Sequence, residues 1–148
     1  MKNKTLAVWL ALLAGPLGLH RFYLFGLGDL MGWLLPAPTL LGLYGIQDML
    51  RNGPDEPWAW LALPMLGFIF AGCALNAIVY GLMTAERWNA SFNPADPLDA
   101  SAGRTGWLTI GAVAISLLVG AAVLIASIAY SFQRYFEYQV EAARQISQ

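Results

Sequence analysis

The sequence predicts an all-α integral membrane protein with four transmembrane helices. They form an N-terminal helical pair and two further helices, followed by a short polar C-terminal helical tail. Three observations carry this. The chain of 148 residues is 58% hydrophobic and only 11% charged, where a soluble domain carries about 25% charged residues. Its mean hydropathy is +0.56. Its apolar residues fall into long segments with polar sequence between them, and tryptophans and tyrosines gather near the segment ends, as at membrane–water interfaces.

The expected organisation is a hairpin over 1–53, with spans at about 5–24 and 29–50. A second pair over 54–148 has spans at about 58–83 and 107–132, a polar loop at 84–106 and a tail at 133–148. The first apolar run, Thr5 to Leu19, follows Lys2 and Lys4. Its fifteen residues reach only about 22 Å at 1.5 Å per residue, short of a hydrocarbon core of about 30 Å. The helix is therefore expected to continue through His20, Arg21, Phe22 and Tyr23, with Arg21 snorkelling to the headgroups. A positive n-region and an apolar h-region resemble a signal peptide. A clear small-x-small cleavage site is lacking, so the segment is expected to be retained.

The second span is interrupted by Pro36 and Pro38. Each removes a backbone donor and disfavours helix in the residue before it. A kink or break is expected between Leu35 and Thr39, with the freed carbonyls facing protein or water. Gly53 and Pro54 end this helix, and the polar run Arg51 to Pro57 demands water. The third span carries Pro64 and starts at Trp58 and Trp60. The loop after it holds Pro94, Pro97 and mixed charges, a composition that predicts a solvated segment. Asn89-Ala90-Ser91 matches a glycosylation sequon that is expected to be unused. In the tail, Glu141 and Arg144 stand at helical i,i+3 spacing.

Small residues indicate how the helices approach one another. Gly28 and Gly32 open the second helix, Gly67 and Ala71 are one turn apart in the third, and Ala112, Ser116 and Gly120 share a face of the fourth. Such spacing permits close backbone contact, expected here within one chain; self-association is left open. With four crossings both termini share one side, which holds Lys2, Lys4, Arg51, Arg134 and Arg144. The positive-inside rule then makes that side cytoplasmic.

Some functions find no support. A net charge of −1 lacks the basic footprint of a nucleic-acid partner. Cys73, the single cysteine, permits no intrachain disulfide and reads as a small apolar residue. His20 is the single histidine, which excludes a His-based metal cluster. It is read as an interfacial residue bonded to loop backbone. There is no nucleophile elbow, Cys–His pair or phosphate loop, so neither an enzymatic activity nor a cofactor is expected. Asp48 is the notable acid, because a carboxylate in a transmembrane helix is costly. Arg51 lies one turn on, so a boundary ion pair is expected. Asn76 is expected to hydrogen-bond between helices.

Ala14-Gly15-Pro16-Leu17-Gly18-Leu19-His20-Arg21-Phe22-Tyr23-Leu24 carries a family likeness, and so does Gly45-Ile46-Gln47-Asp48-Met49-Leu50. With these residues the segment 4–50 resembles the TM-two domain family, paired transmembrane helices joined by a His-Arg-Phe-Tyr-Leu-Gly motif. Phe25 stands where the family has glycine, with Gly26 following, and the Pro36/Pro38 pair is foreign to the pattern. The resemblance marks His20, Arg21, Phe22, Tyr23 and Asp48 as motif residues. It implies a small multi-pass protein of a bacterial inner membrane. The resulting expectation is a non-enzymatic protein that acts through membrane lipid or an unidentified membrane protein partner. Two other readings stand beside it. One is a small transporter or channel using Asp48 and the proline-interrupted helix; the other is a membrane immunity or inhibitor protein.

Overall fold

The computed structural model describes residues 1–53 and 57–146. The described residues form helices and turns without strands. The helices are α1 (Lys4–Ala14), α2 (Leu19–Phe25), α3 (Leu30–Leu34), α4 (Pro36–Asn52), α5 (Pro57–Leu82), α6 (Ala85–Phe92) and α7 (Trp107–Ile146). Two of them, α5 and α7, are long and apolar enough to cross a membrane. Residues 54–56, part of the polar run expected between the second and third spans, lie outside the described residues, as do 147–148.

The central element is α5. It packs against α7 along its length, and their contacts repeat every seven residues. A side chain at Gly81 would meet Val113, one at Gly120 would meet Ala74, and one at Gly67 would meet Ser127. Trp60 continues the series against Arg134. A seven-residue repeat keeps two helices in register only if they wind around each other in a left-handed sense. Small residues at the contact let the backbones close up. Ala112, Ser116 and Gly120 are buried as one stripe, as their spacing predicts, and the contact is within the chain. Pro64 sits inside α5 without interrupting it.

The other flank of α5 is covered by two helices placed end to end. Along the last turns of α5 lies α1: Val8 reaches Gly81, and a Cβ on Gly15 would lie 2.6 Å from the Cβ of Cys73. The first turns are covered by α4, where Gly42 meets Leu66 and Gly45 meets Ala62. The two helices meet where the Thr39 hydroxyl lies 2.8 Å from the carbonyl oxygens of both Pro16 and Leu35. The expected break at the prolines is present: α3 ends at Leu34 and α4 starts on Pro36. At the break the Leu35 carbonyl accepts from both the N–H and the hydroxyl of Thr39.

One expected span is not a single helix. The segment 5–24 reverses at Gly15–Gly18, a 3-10 turn closed by the Gly18 N–H on the Gly15 carbonyl at 2.8 Å. Gly18 has φ +75° and packs on the Gly32 carbonyl. Only glycine adopts that conformation at no steric cost. Returning beside α1, α2 brings Tyr23 and Leu24 back to Asn3 and Lys2. The eleven residues of α1 are about 16 Å long, about half the reach of α5.

Two further expectations change with this path. Lys2 and Lys4 sit at the end of the bundle where α5 finishes, and α7 carries the C-terminus past the end where α5 starts. The termini therefore lie at opposite ends, because the α1–α2 hairpin enters and leaves by one end. The tail is not a separate element either: α7 runs unbroken for 40 residues to Ile146.

Candidate functional site

The His20-Arg21-Phe22-Tyr23 motif lies at the end of the bundle that holds the N-terminus, where α1, α2, the end of α5 and α6 converge. Lys2 and Lys4 do more here than supply positive charge. The Lys4 side chain is fully buried, and its Nζ donates to the Met83 carbonyl at 2.8 Å and the Thr105 hydroxyl at 2.7 Å. The Lys2 Nζ donates to the Leu24 carbonyl at 2.5 Å. Carbonyls in the last turn of a helix have no partner within it. The lysines cap α5 and α2, where a cation also suits the helix dipole.

The motif His20-Arg21-Phe22-Tyr23 stitches this hairpin together. Arg21 Nε and Nη2 donate to the two carboxylate oxygens of Asp29 at 2.5 and 3.0 Å, in the forked geometry of an arginine–carboxylate pair, rather than reaching to headgroups. Asp29 also accepts from the Gly32 N–H at 2.8 Å, capping α3. The Arg21 guanidinium, with help from that N–H, holds the Asp29 carboxyl below the usual carboxylate range. Phe22 packs on the bare backbone of Gly32, its ring centroid 5.0 Å from that of Trp33. The Tyr23 hydroxyl accepts from the Asn3 N–H at 2.6 Å.

His20 departs from expectation. It is fully buried rather than interfacial, with its ring centroid 6.2 Å from that of Tyr80. Neither ring nitrogen has a hydrogen-bond partner, so it does not bond loop backbone. The hairpin turns it inward: α2 folds back along α1 instead of prolonging it.

Asp48 and Arg51 lie apart from this cluster, near the end of α4. Asp48 is half-buried and accepts from Asn52 Nδ2 at 2.7 Å, one turn on. That bond replaces the expected pairing with Arg51, which is exposed. Among the described residues, no three His, Cys, Asp or Glu side chains come together to hold a metal. Of the small-residue pairs, Gly32 is packed while Gly28 has open space around it.

The segment 84–106 is not simply solvated. Trp88 and Asn89 of α6 are fully buried. The Trp88 Nε1–H donates to the Lys2 carbonyl at 2.9 Å, and Asn93 Oδ1 accepts from the Lys2 N–H at 2.6 Å. Asn89 Nδ2 donates to the carbonyls of Leu98 and Ala100, each at 2.9 Å. A sequon whose asparagine is enclosed in this way is closed to glycosylation. The signal for α6 was present: Thr84 as N-cap, Glu86 in the first turn, and Trp88 and Phe92 at i,i+4. Composition alone outweighed it.

The cluster thus couples the N-terminus, the hairpin and the loop into one structural cap through the bonds of Lys2, Lys4, Arg21, Trp88 and Asn89. No family model, curated protein or solved structure matches this chain.

Proposed function

We propose that the chain is an integral membrane protein that acts through contacts with lipid or with another membrane protein, and not as an enzyme. The observation that carries this is its outer surface. Leu61, Phe68, Leu75 and Leu82 on α5, and Leu108, Leu117, Leu118 and Ile125 on α7, all point outward and exposed. A contiguous apolar exterior of this extent has no favourable solvent but lipid or a partner. Trp107 stands at one end of this zone, and Trp58, Tyr135 and Tyr138 at the other, where aromatic belts belong.

In this reading α5 and α7 cross the bilayer, the kinked pair α3–α4 makes a third crossing, and the α1–α2 hairpin dips in and returns. Non-helical backbone at that depth is tolerated because the turn is buried in protein. Lys2, Lys4, Arg21, Arg87 and Arg104 then lie toward one face, and Arg51, Arg134 and Arg144 toward the other. The positive-inside rule makes the N-terminal face cytoplasmic and the C-terminal tail external. A TM-two relationship and a bacterial inner membrane are supported by the motif residues of 4–50 and are proposed on that basis.

The test uses a Cys73→Ala background with Ser101→Cys or Ala143→Cys, both at exposed positions, labelled in intact cells with a membrane-impermeant maleimide. Labelling of Ala143→Cys alone is expected, with the protein resisting carbonate extraction. Labelling of both positions from outside, or of neither, would overturn the proposed path.

A further inference from the structure

A second polar cluster lies at the other end of the bundle, where α5 starts and α7 leaves it. The Arg134 guanidinium carbon lies 5.9 Å from the centroid of the Trp60 indole and 5.5 Å from that of the Tyr130 ring. The Trp60 Nε1–H and the Tyr130 hydroxyl are both enclosed, and neither has a hydrogen-bond partner. Enclosed donors are almost always paired, so two such donors flanking one guanidinium point to a missing acceptor. Beside them, Glu137 accepts from Arg134 Nη1 and from Gln133 Nε2, each at 2.9 Å.

A cavity of about 820 Å³ opens here, lined by Trp60, Arg134, Glu137, Tyr138, Glu141 and Arg144. An apolar groove of about 480 Å³ runs from Tyr130 along the α5–α7 seam past Gly67 and Val123 to Phe70. Tyr130 lines this groove, and its ring also faces Arg134. Tyr130 of the groove thus lies beside Arg134 of the chamber.

We infer that this end binds one phospholipid with a zwitterionic amine headgroup, an inference that rests on the membrane reading above. The phosphate takes the Trp60 N–H, the Tyr130 O–H and the Arg134 guanidinium. The headgroup ammonium faces the carboxylates of Glu137 and Glu141, and an acyl chain lies in the groove. Two arginines and two glutamates line the chamber, and this balance suits a zwitterion better than an anionic lipid. The depth also fits, since Trp60 lies in the first turn of a crossing helix, at headgroup level.

The experiment is native mass spectrometry and thermal melting of the full chain in detergent. The added probes are phosphatidylethanolamine, phosphatidylglycerol or free phosphoethanolamine. Phosphatidylethanolamine is expected to be retained one to one and to raise the melting temperature. The double variant Trp60→Phe/Tyr130→Phe removes both donors and keeps an aromatic ring at each position. It should weaken that binding about tenfold or more, read as the loss of one-to-one retention and of the lipid-induced melting shift above the variant's own lipid-free melt. Equal retention by the double variant, or equal binding of phosphatidylglycerol, would overturn the site. A melting shift from free phosphoethanolamine as large as that from the lipid would overturn the role of the groove. A chain that is monodisperse without detergent would sink the membrane reading itself. A chain that needs detergent but shows no preference among these probes would sink only the site.

Discussion

Replacing Gly18 by alanine distinguishes a reversing hairpin from a straight helix by the sign of its effect. In a continuous helix the change would stabilise, since glycine in a helix interior costs about 1 kcal/mol relative to alanine. In the hairpin it must destabilise, for two separate reasons. Gly18 has φ +75°, and a left-handed conformation costs an L-residue about 1–2 kcal/mol. A Cβ there would also collide with the carbonyl oxygen of Gly32. That neighbour is backbone, so α2 and α3 must move apart, and overpacking of this kind costs about 1–3 kcal/mol. Alanine restricts the unfolded chain and returns about 0.4–1 kcal/mol, leaving a net loss of about 1–4.5 kcal/mol. At roughly 2–4 °C per kcal/mol for a chain of this size, the melting temperature should fall by about 2–18 °C. Gly72→Ala is the matched control: Gly72 is helical and has no atom within 4 Å of its added Cβ, so its melt should hold or rise slightly. Both are read by thermal melting in one detergent. A Gly18→Ala chain that melts at or above the wild type would refute the hairpin.

The Arg21–Asp29 bond gives a pH dependence of definite sign. Because the folded carboxyl titrates below its ordinary value, its contribution is complete above that value and is lost as the pH falls through the lower, folded pKa. Melting temperatures taken from about pH 6 down to about pH 2.5 should converge between wild type and Asp29→Asn; a constant gap across that range would count against the pairing. Asn89→Leu strands the Leu98 and Ala100 carbonyls inside the cap. At about 1–3 kcal/mol for leaving buried polar groups unmet, it should lower stability by about 2 kcal/mol or more and expose the segment 94–103 to proteases. Unchanged proteolysis there would mean that the segment is not held by this side chain.

Much of the architecture was legible in the chain because it depends on local, periodic features. Helix content, the break at Pro36, the end at Gly53 and the stripe Ala112, Ser116 and Gly120 all follow from spacing and backbone chemistry that a neighbouring helix need not supply. The forked Arg21–Asp29 bond was also within reach, since its partners are eight residues apart. The direction in which α2 runs could not be read with the same ease. Leu10 to Leu24 fits one long helix and two short ones equally well in hydropathy. What separates them is whether Gly15 finds the Cys73 side chain and Gly18 the Gly32 backbone to lie against, and both partners sit on other helices. The same reversal buries His20, makes Lys2 a cap on the last turn of α2 and sends the termini to opposite ends. Composition determined the long apolar helices and the exposed apolar side chains they carry. Tertiary contact alone decided its path, because a close approach between distant backbones leaves no trace in either segment until the two are packed together.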